Sequence, residues 1–172
     1  MGVLNMKSLK KDELKELLIK SWMTHDAMWF SSCLREFGIE KANSINKAVH
    51  KAVTPIEIKR IQKAVGAEKL DTFHEFKRFF ETAGEILSGA FMKYTLSMPE
   101  KNMLHFEWGS CFAYDGMKAL GVADRYECGV MLRIETWFDT LGIKYEVEPK
   151  VTGCMMHTDG KCFRDYKFFF DK

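Results

Sequence analysis

An α+β fold, with a helical N-terminal half packed on a C-terminal antiparallel sheet, is predicted by three observations. Up to residue 98 the large apolar residues recur every three to four positions, between recognisable helix start and stop signals. Beyond Pro99 the pattern partly changes to the period-two alternation of strands. The chain of 172 residues is 47% hydrophobic with only three prolines, enough to build one sizeable core and too apolar for disorder. Residues 1–172 are therefore expected to form a single domain, with a mainly helical part over 1–98 and a strand–helix–hairpin part over 99–172.

From Leu9 to Phe37 the stripe Leu14, Leu17, Leu18, Trp22, His25, Trp29, Phe30, Leu34 and Phe37 predicts one helix or two consecutive ones. Gly38 is its natural stop. Ala42 to Val53 is a second amphipathic run. Thr54, Pro55 and Glu57 then read as the N-cap, first-turn proline and capping-box acid of a new helix that Gly66 closes. Asp71 is expected to cap a longer helix carrying Phe73, Phe76, Phe79, Phe80, Ile86, Leu87 and Met92, ending before Pro99.

Asn102 to Trp108 alternates as a strand, and Ser110 to Gly121 reads as a connecting segment. Asp124 to Leu141 is a helix with Val130, Ile134, Trp137 and Phe138 on one face, stopped by Gly142. Ile143, Tyr145 and Val147 alternate with charged residues as a half-buried strand. Asp159-Gly160, between two strand-like runs, is a two-residue hairpin signal.

The 26 basic and 24 acidic side chains leave a net charge of +2, which gives no electrostatic case for nucleic acid or an anionic membrane as partner. Met1 to Lys20 interleaves lysines with acids, unlike a signal or transit peptide, and no stretch is apolar enough to span a bilayer. A cytoplasmic location follows as the expectation, with the five cysteines kept reduced. Phosphate-binding glycine loops, nucleophile elbows and the His-Glu-x-x-His zinc motif are all absent from the sequence.

Cys33 and Cys111 read as small core residues. Cys128, in the first turns of its helix where the dipole favours a thiolate, and Cys154 and Cys162, flanking the hairpin, are three soft donors of the kind zinc takes. If no metal binds, they are apolar thiols of an ordinary hairpin. A second group is aromatic: Trp22, His25 and Trp29 on the first stripe, with His105, Trp108 and Phe112 near the first strand, suit a pocket for a small apolar or aromatic molecule. Such rings at helical spacing also suit plain core.

The order of a cysteine at a helix start, a glycine-ended turn, a strand, a second cysteine, a Gly-Lys turn and a third cysteine before a Phe-rich run, Cys128 through Phe168, resembles the 4-vinyl reductase domain. That resemblance implies a ligand-binding domain of the sensor or carrier type that encloses small hydrophobic molecules. It further implies a structural zinc held by Cys128, Cys154, Cys162 and a carboxylate. This chain has Val151 where the family carries the carboxylate, so Glu148 or His157 would have to complete the set.

His25-Asp26-Ala27-Met28-Trp29-Phe30 in turn resembles a group of uncharacterised cytosolic proteins related to 2-aminothiazoline-4-carboxylate hydrolases. The alternative function is thus a small hydrolase or reductase using the same pocket, with His25, Asp26 or Cys111 doing acid–base or nucleophilic work. Self-association, as a homodimer or a structural module, is a further possibility, and exposed aromatic surface would be its sign.

Overall fold

The computed structural model describes residues 7–170; the first six residues, part of the N-terminal targeting reading, lie outside them. Five helices and four strands follow one another in the order α1 (Lys11–Val65), α2 (Phe73–Leu87), β1 (Lys93–Ser97), β2 (Met103–Ser110), α3 (Phe112–Ala119), α4 (Gly129–Thr140), β3 (Lys144–Glu148), α5 (Met155–Asp159) and β4 (Cys162–Phe169). The expected α+β architecture is present. The strands form one antiparallel sheet in the order β1-β2-β4-β3.

Gly38 interrupts α1 as expected, with a φ of 77° that an L side chain resists. The second break does not occur. Helix α1 runs straight through Thr54-Pro55, and the only non-helical backbone inside it is at Gly38. An interior proline costs a helix about 3 kcal/mol, and tertiary contacts just beyond it offset this. Ile58 and Ile61 are buried in the core, while Glu57 is bound by both Arg133 and Trp137 of α4.

Helix α2 begins one residue later than expected. Thr72, not Asp71, is the N-cap: its hydroxyl accepts from the Glu75 N–H at 3.3 Å, and its own N–H donates to the Glu75 carboxylate at 3.0 Å. The helix also stops earlier, at Leu87, with the Ser88 hydroxyl donating to the Gly84 carbonyl. The residues after it form β1, whose Tyr94 and Leu96 pair with Trp108 and Phe106 of β2. Ser110 to Gly121, expected as a connection, contains the two-turn helix α3.

The hairpin at Asp159-Gly160 is replaced by α5, a short helix that Gly160 ends with φ 68°. Its absence has a simple cause. Residues before Gly160 turn back on themselves, with the His157 and Thr158 N–H groups donating to the Cys154 carbonyl and Met155 buried in the core, while β4 pairs with β2 over Cys162–Lys167 and with β3 over Asp165–Phe169. The same two-sided pairing places Cys162, Arg164, Tyr166 and Phe168 on the buried face by strict alternation.

The main core lies between that face and helices α2 and α4. Phe76, Phe138, Tyr166 and Phe168 are almost wholly buried there, with ring centres 4.7–6.1 Å apart, tilted or edge-to-face except for the stacked Tyr166–Phe168 pair. A smaller cluster under α3 joins Ile39, Met117, Val122, Tyr126 and Cys154.

Candidate functional site

Two small cavities adjoin each other, one between the first segment of α1, helices α2 and α4 and the inner face of the sheet, the other between both segments of α1, α3 and α4. The inner one, of about 100 Å³, is walled by Trp22, Phe80, Tyr94, Phe106, Trp108 and Trp137, among others. The second, of about 120 Å³, is lined by Asp26, Phe30, Asn46, His50, Tyr126 and neighbouring side chains. Met23, Phe112, Val130 and Arg133 wall both. Outside them a wider cleft of about 550 Å³ runs between the two segments of α1, along Trp22, His25, Trp29, Cys33, Phe37 and Val49.

Arg133 stands where these spaces meet. Its guanidinium lies 4.7 Å from the centre of the Trp22 ring and pairs with Glu57, which also accepts from the Trp137 indole N–H at 3.1 Å. One side chain of α4 thereby ties together residues from both segments of α1. Asn43 adds a second tie, donating to the Arg125 carbonyl at 2.8 Å and accepting from the Glu127 N–H at 3.2 Å.

Helices α1 and α4 are in close contact at Gly129. A Cβ built there would sit 2.6 Å from both the His50 ring and the Asn46 amide, so only glycine admits this contact without a shift. The Gly129 N–H donates to the Tyr126 hydroxyl at 3.1 Å.

Among the described residues, a buried polar atom of one lining residue in each cavity finds no hydrogen-bond partner: the indole N–H of Trp108 at the first and Nδ1 of His50 at the second. An indole nitrogen can only donate. Leaving such a group unsatisfied costs about 1–3 kcal/mol. Burial lowers the pKa of His50, the Arg133 cation lowers it further, and the Asp26 carboxylate acts in the opposite direction. His50 is accordingly neutral near pH 7, with one nitrogen able to accept.

The residues singled out from sequence divide unevenly. Trp22, Trp108 and Phe112 line the inner cavity. His25 and Trp29 lie in the outer cleft, where the Trp29 indole donates to His25 Nε2 at 3.2 Å and occupies the imidazole. His105 is not part of the site. Leu104, Phe106 and Trp108 take the buried face of β2, so His105 emerges on the other side, where its Nδ1 lies 2.6 Å from Asp165. Its place at the pocket is taken by His50, which comes from the middle of α1. Asn46 and Arg133 were likewise missed: in sequence they are ordinary helical polar residues.

The expected metal ligands do not all converge. Among the described residues, no three His, Cys, Asp or Glu side chains are disposed to hold a metal ion. Cys154 and Cys162 are buried, whereas the two residues meant to complete the set face solvent, Glu148 on β3 and His157 on α5. The dipole expected to favour a thiolate at Cys128 is outweighed. Burial pushes that thiol up to about 12 and Cys162 up to about 11, and it raises Cys111 as well; the nearby cysteines add to each shift. As placed, these residues do not fit a zinc tetrad, and their neutral thiols pack as small apolar groups.

No described helix is long and apolar enough to cross a membrane. Among known families, residues 7–82 match a family of unknown function (DUF6125). That stretch covers α1 and most of α2, which supply Trp22, Asp26, His50 and Phe80 to the cavities. No curated protein matches the chain.

Proposed function

We propose that this protein is a cytoplasmic small-molecule-binding domain of the sensor or carrier type, with its ligand in the paired cavities that α1 and α4 share. The observation that carries this is the pair of unsatisfied buried groups, Trp108 Nε1 and His50 Nδ1, at cavities otherwise walled mainly by apolar side chains. A ligand with a hydrogen-bonding group gives either atom a partner that the protein itself does not supply. The size also fits a small guest: a dry engineered cavity of about 150 Å³ takes up benzene, and the two spaces here are of that order. The ligand class is a single-ring aromatic or similarly compact apolar molecule bearing one polar substituent. No metal has a part in this proposal.

A second function, a small hydrolase, draws support from one feature. Asp26 and His50 border the same cavity, a carboxylate and a neutral imidazole of the kind general-base catalysis uses. Cys111, held protonated by burial, is a poor nucleophile.

The test is thermal unfolding with a panel of one-ring aromatic compounds carrying a hydroxyl, carboxylate or amine. A binder at one hundred times its Kd adds about 2.7 kcal/mol of stability. Trp108→Phe keeps the ring, removes the donor, and is expected to weaken binding about ten-fold, or ~1.4 kcal/mol, without destabilising the free protein. A flat response from every compound would overturn the proposal. Turnover lost in both Asp26→Asn and His50→Gln with retained folding would establish the hydrolase instead.

A further inference from the structure

Among the described residues, Arg164 is the buried side chain that carries a full charge, with only 4% of it exposed. Strand alternation puts it there, between Cys162 and Tyr166 on the inner face of β4. A guanidinium in that position is costly unless an anion or a full set of acceptors meets it. The protein supplies neither. Nη1 donates to the Phe163 carbonyl at 2.7 Å and to the Met155 sulfur at 3.4 Å. Nε and Nη2 find no acceptor among the described residues, and none of the ion pairs there includes Arg164.

The guanidinium is buried but not sealed in. It lines a cavity of about 250 Å³ together with Cys128, Met131 and Glu135 at the start of α4 and Thr152 and Gly153 of the loop after β3. No residue of this wall is shared with the paired cavities. Two carboxylates border it, and neither balances the cation. Glu127 is paired with Lys47. Glu135 accepts from the Tyr166 hydroxyl at 3.4 Å, and burial raises its pKa more than the charge of Arg164 lowers it. The helix adds a second positive end without a counter-charge. Cys128 is the N-cap of α4 and no acidic residue stands in the first turn, so the positive pole of the dipole meets the same cavity.

We infer that this cavity is a binding site for a small oxyanion, a carboxylate or phosphate group held by Nε and Nη2 of Arg164 at the first turn of α4. Those two N–H groups point the same way and form the fork that takes two oxygens of one anion. The volume suits an anion of a few heavy atoms, since drug-sized pockets run to about 300–1,000 Å³. The site is separate from the aromatic cavities and requires nothing of them.

Thermal unfolding of the full chain in sodium phosphate or sodium acetate, at an ionic strength held constant with sodium chloride, tests the inference. A saturable rise of the midpoint beyond that in chloride is expected with one of the two, and the more effective anion identifies the group recognised. Arg164→Met is expected to weaken this binding at least ten-fold. Because it removes a buried charge that lacks a partner, it should leave the midpoint in chloride unchanged or higher. Thr152→Glu keeps the test decisive should that variant fail to fold. Thr152 is exposed, and a carboxylate tethered beside the cavity should also weaken anion binding at least ten-fold. Phosphate and acetate that act no differently from chloride overturn the proposal, and so does an anion response that both variants retain.

Discussion

The two aromatic regions of this molecule use the same residue types to opposite ends. Where α2 and α4 cover the sheet, Phe76, Phe138, Tyr166 and Phe168 are locked in mutual ring contacts and are nearly inaccessible. On the first segment of α1, Trp22, Trp29 and Phe37 lie around open space, and each keeps more than a third of its surface in solvent. Those rings come from α2, α4 and the hydrogen-bonded strand β4 and close over one another. The α1 rings have only a second helical segment and Arg133 to rest against. An aromatic side chain thus becomes core or binding surface according to how many elements close over it.

Truncation puts the largest numbers on this contrast. Phe138→Ala removes a ring in contact with five other aromatic residues and should cost about 3–5 kcal/mol. Trp29→Ala, on the exposed side, should change monomer stability by no more than about 0.5 kcal/mol. Urea unfolding of both variants measures the gap. Equal losses would mean that the α1 rings are core after all.

An intermediate effect is expected where the two regions meet. Gly129→Ala pushes a methyl group against His50 and Asn46 and should destabilise by about 1–3 kcal/mol, the range for overpacking. It should also abolish ligand-induced stabilisation, because the second cavity lies against this contact. A variant as stable as the wild type and still responsive to ligand would show that the helices separate freely.

The smallest effect depends on pH. His50 has a lowered pKa in the fold, chiefly through burial, so below the ordinary histidine value of about 6.5 the unfolded chain binds the proton more readily. Its contribution to stability is whole above that pH and is lost as the pH falls through it. Urea midpoints at pH 7.5 and 5.5 should therefore drop more for the wild type than for His50→Gln. Parallel drops would remove His50 from the account.

Much of this was open to reading in the chain itself. The helical and strand periods, Gly38, Gly66 and Gly142 as stops, and Trp22, Trp108 and Phe112 as pocket walls all follow from local pattern. His105 could have been placed by the same rule: it alternates with Leu104 and Phe106, and once Phe106 and Trp108 face inward its parity sends it outward. Strand β1 is harder, being five residues long and continuous in sequence with the apolar run of α2.

What composition and period determined was the fold class and the kinds of side chain available, because both depend on neighbours within a turn or a strand. Whether Pro55 ends a helix, whether Asp159-Gly160 turns a hairpin and whether the cysteines meet depended on tertiary structure. The reasons were a carboxylate bound across 76 residues by Arg133, a turn of helix before Gly160 that buries Met155, and ligand candidates left on opposite sides of the solvent boundary. The cavities belong to that second category. His50, Trp108 and Arg133 are brought to adjoining spaces only by packing α1 and α4 against the sheet, and long-range packing of that kind leaves no local period in the sequence to read.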